Sequence, residues 1–319
     1  MKNIAVLTSG GDAPGMNNAI RAVVRSGLHH EMKTYGIYYG FEGLCENDIR
    51  ELRRENVSRI LSRGGTILGS ARYPAFKELN VQKKAVANLR EKGIDGLVLI
   101  GGDGTYRGAK DLADLGVRCI ALPGTIDNDI ASTDYSIGFF TALETAVSSI
   151  DKLRDTSFSH RRCSVVEIMG RHCGDLALYA GIAVGSEFII TPETGYDKQR
   201  TLDAVKQSYR DNKRHAVVVV TERILDIDVL AADIERHTGY ETRATVLGHV
   251  QRGGSPVAFD RVLATEMAEY AVELLKKGAN ARAVGIRGMD IVDIDLDTAL
   301  TMKKDVSKKR YGLVGRLVR

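Results

Sequence analysis

The sequence predicts an α/β protein built on mostly parallel sheets, and three observations carry that reading. Short apolar runs alternate with amphipathic stretches almost from end to end. Turns rich in Gly and Asp follow directly on several of these runs, where ligands of open parallel sheets bind. The 319 residues exceed a typical single domain and are enough for two cores of ordinary size. The strand-like runs are Ile4–Leu7, Thr34–Tyr38, Leu97–Ile100, Cys119–Leu122, Val165–Ile168, Phe188–Ile190 and Val217–Val220, and such continuous apolar character belongs to strands buried on both faces. Between them, Val81–Lys92, Ala142–Leu153, Gln199–Tyr209 and Asp260–Lys277 space apolar residues three and four apart, the pattern of covering helices. With no repeat, low-complexity tract or Pro-rich linker, any domain boundary is crossed by short connections, and the Gly138 region and the Gly248–Gly254 turn are the candidates.

Composition narrows the class. Apolar residues at 44% and charged residues at 27% suit a soluble globular protein, and no run approaches the ~18 apolar residues of a membrane helix. Met1-Lys2-Asn3 leads straight into the first strand, so a signal peptide is not expected and a cytoplasmic location is. The four cysteines, Cys45, Cys119, Cys163 and Cys173, lack metal-site spacing and read as reduced, mostly structural thiols. The mild excess of 45 basic over 41 acidic residues is compatible with nucleic acid, a membrane surface or small anionic ligands. The absence of Trp and of a dense Lys/Arg block argues against a nucleic-acid partner.

The first strand runs into Thr8-Ser9-Gly10-Gly11-Asp12-Ala13-Pro14-Gly15, and Met16-Asn17-Asn18 opens a helix. Free N–H groups and the helix dipole make such a turn suited to anions. It is neither a P-loop nor a dinucleotide fingerprint, and taken alone it is equally a tight connection. Two Asp-rich turns, Gly101-Gly102-Asp103-Gly104-Thr105 and Pro123-Gly124-Thr125-Ile126-Asp127-Asn128-Asp129, follow two further strands. Three small-residue turns would converge on one rim of the sheet. Asp103 is a candidate Mg²⁺ ligand. Asp127 and Asp129 would point to similar sides if the turn is extended, one toward substrate and one toward metal, although capping of the turn explains either alone. Arg72, beyond Gly64-Gly65-Thr66, can reach a phosphate bidentately or lie solvated on the surface. Two more Gly-bounded turns, Met169-Gly170-Arg171-His172-Cys173-Gly174-Asp175 and Gly248-His249-Val250-Gln251-Arg252-Gly253-Gly254, each hold an Arg and a His, a composition suited to a sugar phosphate. His172 and His249 are equally explained by backbone partners.

Together these motifs resemble those of the bacterial ATP-dependent 6-phosphofructokinases, over nearly the whole chain. Gly-Gly-Asp-Gly alone is shared with NAD and lipid kinases; the seven-residue Asp turn and His249-Val250-Gln251-Arg252-Gly253-Gly254 are the specific part. The resemblance implies two Rossmann-like three-layer α/β/α domains, with 1–138 and 251–305 binding ATP and 139–250 and 306–319 binding fructose 6-phosphate. It implies phosphoryl transfer from MgATP to the sugar 1-hydroxyl. Asp127 would be the general base, Thr125 would position the phosphoryl group, Asp103 and Asp129 would serve Mg²⁺, and Arg72 and Arg171 would offset developing charge. Gly11, Tyr73, Gly102, Gly104, Thr105 and Gly108 would line the ATP site. Ile126, Met169, Gly170, Glu222, His249, Val250, Gln251 and Arg252 would bind the sugar phosphate, joined by Arg162 and Arg243 from a neighbouring subunit of a homotetramer. Pyrophosphate-dependent relatives usually carry Asp and Lys where this chain has Gly104 and Gly124, so both glycines are expected to leave space for a nucleotide.

The resemblance also implies an inter-subunit pocket for ADP or phosphoenolpyruvate, formed by Arg21, Arg25, Arg54, Ser58, Arg59, Arg154, Gly185, Glu187, Lys213, Arg214 and His215. Without it, the Arg21/Arg25 pair one helical turn apart reads as a solvated face. Glu55 stands where relatives often have Tyr, and Asp211 where they often have Lys or Arg; both acids are expected to weaken or alter effector binding. Three other readings stand beside this one. A kinase acting on NAD or a lipid would lack the His249–Gly254 turn, a silent regulatory subunit would have lost catalytic residues, and a Rossmann oxidoreductase would carry Gly-x-Gly-x-x-Gly after its first strand.

Overall fold

The computed structural model describes residues 1–304 and 310–313. In chain order its regular elements are β1 (Asn3–Ser9), α1 (Met16–His29), β2 (Lys33–Ile37), α2 (Gly40–Cys45), β3 (Ile49–Glu51), α3 (Leu79–Glu91), β4 (Gly96–Gly101), α4 (Asp103–Asp114) and β5 (Arg118–Pro123). They continue with α5 (Phe139–His160), β6 (Arg162–Ile168), α6 (Asp175–Val184), β7 (Phe188–Ile190), α7 (Lys198–Arg210), β8 (Ala216–Thr221), α8 (Ile227–Thr238) and β9 (Glu241–Val246). The last four are α9 (Ala258–Lys276), β10 (Arg282–Arg287), β11 (Asp290–Asp295) and α10 (Leu296–Thr301). The chain divides into two compact units. One holds Met1–Thr141 and Arg252–Lys304; the other holds Ala142–Gln251 and, of the described C-terminal residues, 310–313. The boundary expected at 305/306 lies outside the described residues.

The first unit is a seven-stranded sheet in the order β11-β10-β5-β4-β1-β2-β3. Its strands run parallel except at the two edges, where β3 and β11 are antiparallel to their neighbours. Ala5, Leu7, Leu97, Leu99, Cys119 and Ala121 share a core with Phe41, Leu44, Ala85, Val86, Leu89, Ala109 and Leu112, so α2, α3 and α4 cover that face. The alternate residues Ile4, Val6, Val98, Ile100 and Ile120 are buried as well, on the side covered by α1 and α9. Burial on both faces explains why these strands read as unbroken apolar runs.

The second unit is a four-stranded, wholly parallel sheet in the order β7-β8-β6-β9. Cys163, Val165, Val218 and Val220 pack with Leu202, Val205, Leu230 and Ile234 of α7 and α8. On the opposite face Ser164 meets Ser157 of α5, with their hydroxyls 2.7 Å apart. Each unit is therefore a sheet between helix layers. Among the described residues no helix is long and apolar enough to cross a membrane.

Candidate active site

Three adjacent parallel strands, β5, β4 and β1, end at one level, with Ser9 opposite Gly101 and Gly101 opposite Pro123. The Gly10–Gly15 turn and both Asp turns leave from these ends, so they converge as expected. Two hydrogen bonds tie the turns together: Thr105 Oγ1 donates to the Ser9 carbonyl at 3.2 Å, and the Gly124 N–H to the Gly101 carbonyl at 3.0 Å. Helix α4 starts at Asp103 after Gly102 with no side chain capping it, which leaves its first N–H groups for an anion. A Cβ added at Gly102 or Gly104 would meet nothing within 4 Å, so this helix end faces open space.

Beside it lies a cavity of about 420 Å³ lined by Gly10, Gly11, Asp12, Thr66, Gly69, Ser70, Arg72 and Arg252. Two guanidinium groups against one carboxylate suit a polyphosphate. Arg252 lies beside Gly11, its Cζ 3.6 Å from where a Cβ on that glycine would stand. Gly108 is buried against the Phe41 ring, and Tyr73 is half-buried.

The seven-residue Asp turn departs from expectation. Asn128 has φ of 53°, a left-handed backbone that bends the segment, so simple alternation does not orient Asp127 and Asp129. The bend is clamped from inside. Asn128 Nδ2 donates to the Asp134 carbonyl at 3.2 Å, its Oδ1 accepts from the Ser136 N–H at 2.9 Å, and the Ser136 hydroxyl donates to the Thr125 carbonyl at 2.7 Å. Thr125 Oγ1 accepts from the Asp127 N–H at 3.2 Å, and Ile126 is buried.

Gly124 departs as well. An added Cβ would lie 2.9 Å from Ile100 Cγ2 and 3.1 Å from Met16 Cε. Side chains packed under the turn take up the room a Cβ here would need, so of the two expected spaces the structure shows only that at Gly104.

Asp103 is exposed and accepts two hydrogen bonds from Arg107 at 2.9 and 3.3 Å. Asp129 is exposed too. Among the described residues no group of three or more His, Cys, Asp or Glu side chains could hold a metal. Two accessible carboxylates do fit an ion that arrives with a triphosphate, since Mg²⁺ in such sites takes only one or two from the protein.

In the second unit, neighbouring strands β8, β6 and β9 end beside one another, and their exits bring Met169-Gly170-Arg171, Glu222 and the His249 turn together. Glu222 accepts from the Arg171 N–H at 3.1 Å. Gln251, fully buried, accepts from the Met169 N–H at 3.3 Å and donates to the Gly248 carbonyl at 3.0 Å. Its amide builds the turn, while Arg171, His172, His249 and Val250 are exposed. Burial pushes up the Glu167 carboxyl, helped by Glu222 and Asp226. Arg162 and Arg243 are not part of this cluster; both pair with Glu241, Arg162 at 2.9 Å.

The expected effector residues form one group in each unit. In the first, Arg25 donates to the Arg54 carbonyl at 3.5 Å, Ser58 to the same carbonyl at 3.0 Å, and Arg59 occupies a left-handed turn position. Burial holds the Arg25 guanidinium below its ordinary value, and the Arg54 and Arg21 charges add to it. In the second unit Glu187, buried, accepts from Lys213 Nζ at 3.1 Å and the Val217 N–H at 2.6 Å. Arg154 donates to the Val184 carbonyl beside Gly185, Arg214 lies over the Phe158 ring, and His215 meets the same ring. Asp211 accepts from Gln207 at 2.8 Å, and Glu55 is exposed on the Arg54 turn.

The sequence reading missed Asn17, Ser136 and Asp260, because their hydrogen-bond partners are distant in the chain or inside a turn.

A family model described as phosphofructokinase matches residues 3–275. The chain is 57% identical over 318 residues to an ATP-dependent 6-phosphofructokinase of Vibrio vulnificus, covering 99% of each. It is 56% identical over 300 residues to one of Teredinibacter turnerae, covering 94% of each. The solved structure of phosphofructokinase from Saccharomyces cerevisiae superposes with a TM-score of 0.88 at 35% identity, over all of this chain and 48% of that one.

Proposed function

We propose that this chain, which belongs to the phosphofructokinase family, transfers the γ-phosphoryl group of MgATP to the 1-hydroxyl of fructose 6-phosphate, yielding fructose 1,6-bisphosphate and ADP in glycolysis. The observation that carries the reading is the convergence of three Gly- and Asp-rich turns at the ends of β1, β4 and β5 beside an arginine-lined cavity. Met169, Arg171, Glu222 and the His249 turn, which this reading assigns to the sugar phosphate, lie together at the exits of β6, β8 and β9.

In this reading the α4 N-terminus and the Gly10–Gly11 backbone hold phosphate oxygens. Arg72 and Arg171 offset the charge that develops on the equatorial oxygens. Thr125 positions the phosphoryl group, and Asp127 accepts the proton of the 1-hydroxyl, a role typically worth ~10²–10⁴ in rate. Asp103, now paired with Arg107, and Asp129 would hold the Mg²⁺ that accompanies ATP, and the ion would supply neutralisation of the phosphate charge. Met169, Glu222, His249 and Arg252 contact the sugar phosphate. A cytoplasmic homotetramer completes the assembly, with Arg162 and Arg243 serving a neighbouring subunit. The two effector groups would hold ADP or phosphoenolpyruvate, weakened by Glu55 and Asp211.

The test is turnover of the purified protein with fructose 6-phosphate and either MgATP or pyrophosphate. ADP release with ATP and none of the product with pyrophosphate is expected, with Asp127→Asn lowering kcat by about 10² or more. Turnover with pyrophosphate would overturn the donor, and no turnover with either would overturn the reaction.

A further inference from the structure

The segment that carries Arg72 has little regular structure, yet it lines much of the cavity. Thr66, Gly69, Ser70 and Arg72 all come from it, so something outside the segment must fix its course. Asn17, near the start of α1 and 1% exposed, does this through its amide. Its Oδ1 accepts from the Ile67 N–H at 2.8 Å, and its Nδ2 donates to the Arg63 carbonyl at 3.0 Å and the Gly64 carbonyl at 3.3 Å. One side chain thus satisfies three backbone groups of a turn some fifty residues away, as a strand partner otherwise would.

The turn is also pressed against a second loop. A Cβ at Gly64 would fall 2.4 Å from the Gly254 carbonyl oxygen, a backbone approach that only glycine allows. Further along, Thr8 Oγ1 donates to the Gly69 carbonyl at 2.8 Å and Ser70 Oγ to the Gly10 carbonyl at 2.6 Å. The Asn17 bonds set the start of the segment, and the Thr8 and Ser70 bonds set its return to the Gly10–Gly11 turn.

We infer that Asn17 is a positioning residue for phosphoryl transfer: its buried amide fixes the 63–67 turn and thereby places the Arg72 guanidinium over the phosphates. The inference rests on the proposed kinase reaction and adds a residue that touches no substrate. Its effect runs through Arg72, because a guanidinium displaced by about an ångström no longer pairs with the equatorial oxygens.

A double-mutant cycle reads this directly. kcat and KM for MgATP are measured for the unmutated protein, Asn17→Ala, Arg72→Ala and the double variant, with Asn17→Asp, which keeps the acceptor and loses both donors, replacing Asn17→Ala should that fail to fold. Backbone amide exchange across 63–72 is followed in the Asn17 variants. The expected result is a loss of about tenfold or more in kcat/KM from Asn17→Ala, shrinking below about twofold in the Arg72→Ala background, with faster exchange at Ile67. Equal losses in both backgrounds, or unchanged exchange, would overturn the inference. If the unmutated protein does not phosphorylate fructose 6-phosphate, the reaction is wrong, and the exchange measurement still decides whether Asn17 holds the turn.

Discussion

Burial holds the His215 imidazole below its ordinary value; Glu187 pulls it up, and Arg154 and Lys213 push it down again. A histidine depressed in the folded state contributes stability that is complete above its unfolded value of about 6.5 and is lost as pH falls through that value toward the folded one. At neutral pH the ring is therefore uncharged, and a phosphorylated ligand beside it would favour the imidazolium. Effector affinity should rise severalfold between pH 7.5 and 6.0, and His215→Ala should flatten that rise. Titrations of ADP and phosphoenolpyruvate against both proteins check it; parallel pH profiles would remove His215 from the effector group. The thiols call for no comparable role. All four cysteines are buried, and burial pushes the Cys45 thiol up to about 11, which leaves almost no thiolate for reaction at neutral pH.

Helices α5 and α9 cap one another through the fully buried Asp260. Its carboxylate accepts from the Gly138 and Thr141 N–H groups at 3.0 and 2.8 Å and from the Thr141 hydroxyl at 2.6 Å. Thr141 Oγ1 in turn accepts from the Val257 N–H at 3.0 Å, just before α9 begins. Burial raises the Asp260 carboxyl above its ordinary value, and the donated hydrogen bonds oppose that rise. Removing it leaves buried donors at a helix start without an acceptor, a cost of about 2 kcal/mol. Asp260→Ala should lower the unfolding free energy by that amount, read as a lower urea midpoint with little change in m. A midpoint shift worth less than about 0.5 kcal/mol would show that solvent or a neighbouring group replaces the carboxylate. Other elements escaped the pattern reading for identifiable reasons. β3 has three residues, β10 and β11 form an antiparallel edge pair, and α6 is apolar on nearly every side, so no 3.6-residue stripe marks it.

At the scale of the whole molecule the useful contrast lies within β6. Arg162 opens this strand and Met169 follows its end, which by strand rise separates them by about 20 Å. Arg162 therefore cannot serve the Met169–Glu222–His249 cluster of its own chain, which supports the reading that it reaches another copy. Asp127→Ala and Arg162→Ala, each nearly inactive alone, should regain activity when co-assembled, because about a quarter of the sites in a random mixture would draw both intact residues from different subunits. Assays of co-expressed against separately purified variants check this; no gain on mixing would sink the shared site.

Strand positions, covering helices and the turns that follow the strands were legible from residue order because each is a local pattern: an apolar run, a three-to-four spacing, a cluster of Gly and Asp. Asp103, Arg72, the Asp127 turn and the His249 turn stood out for the same reason. Where the backbone bends at Asn128, why Gly124 must be small, that Gln251 faces inward, and that Asn17 and Asp260 hold distant turns were settled only by tertiary structure. Each depends on atoms brought together from far along the chain, or from the two sides of a turn, and the energy of a buried hydrogen bond or a close backbone approach exists only once those atoms meet.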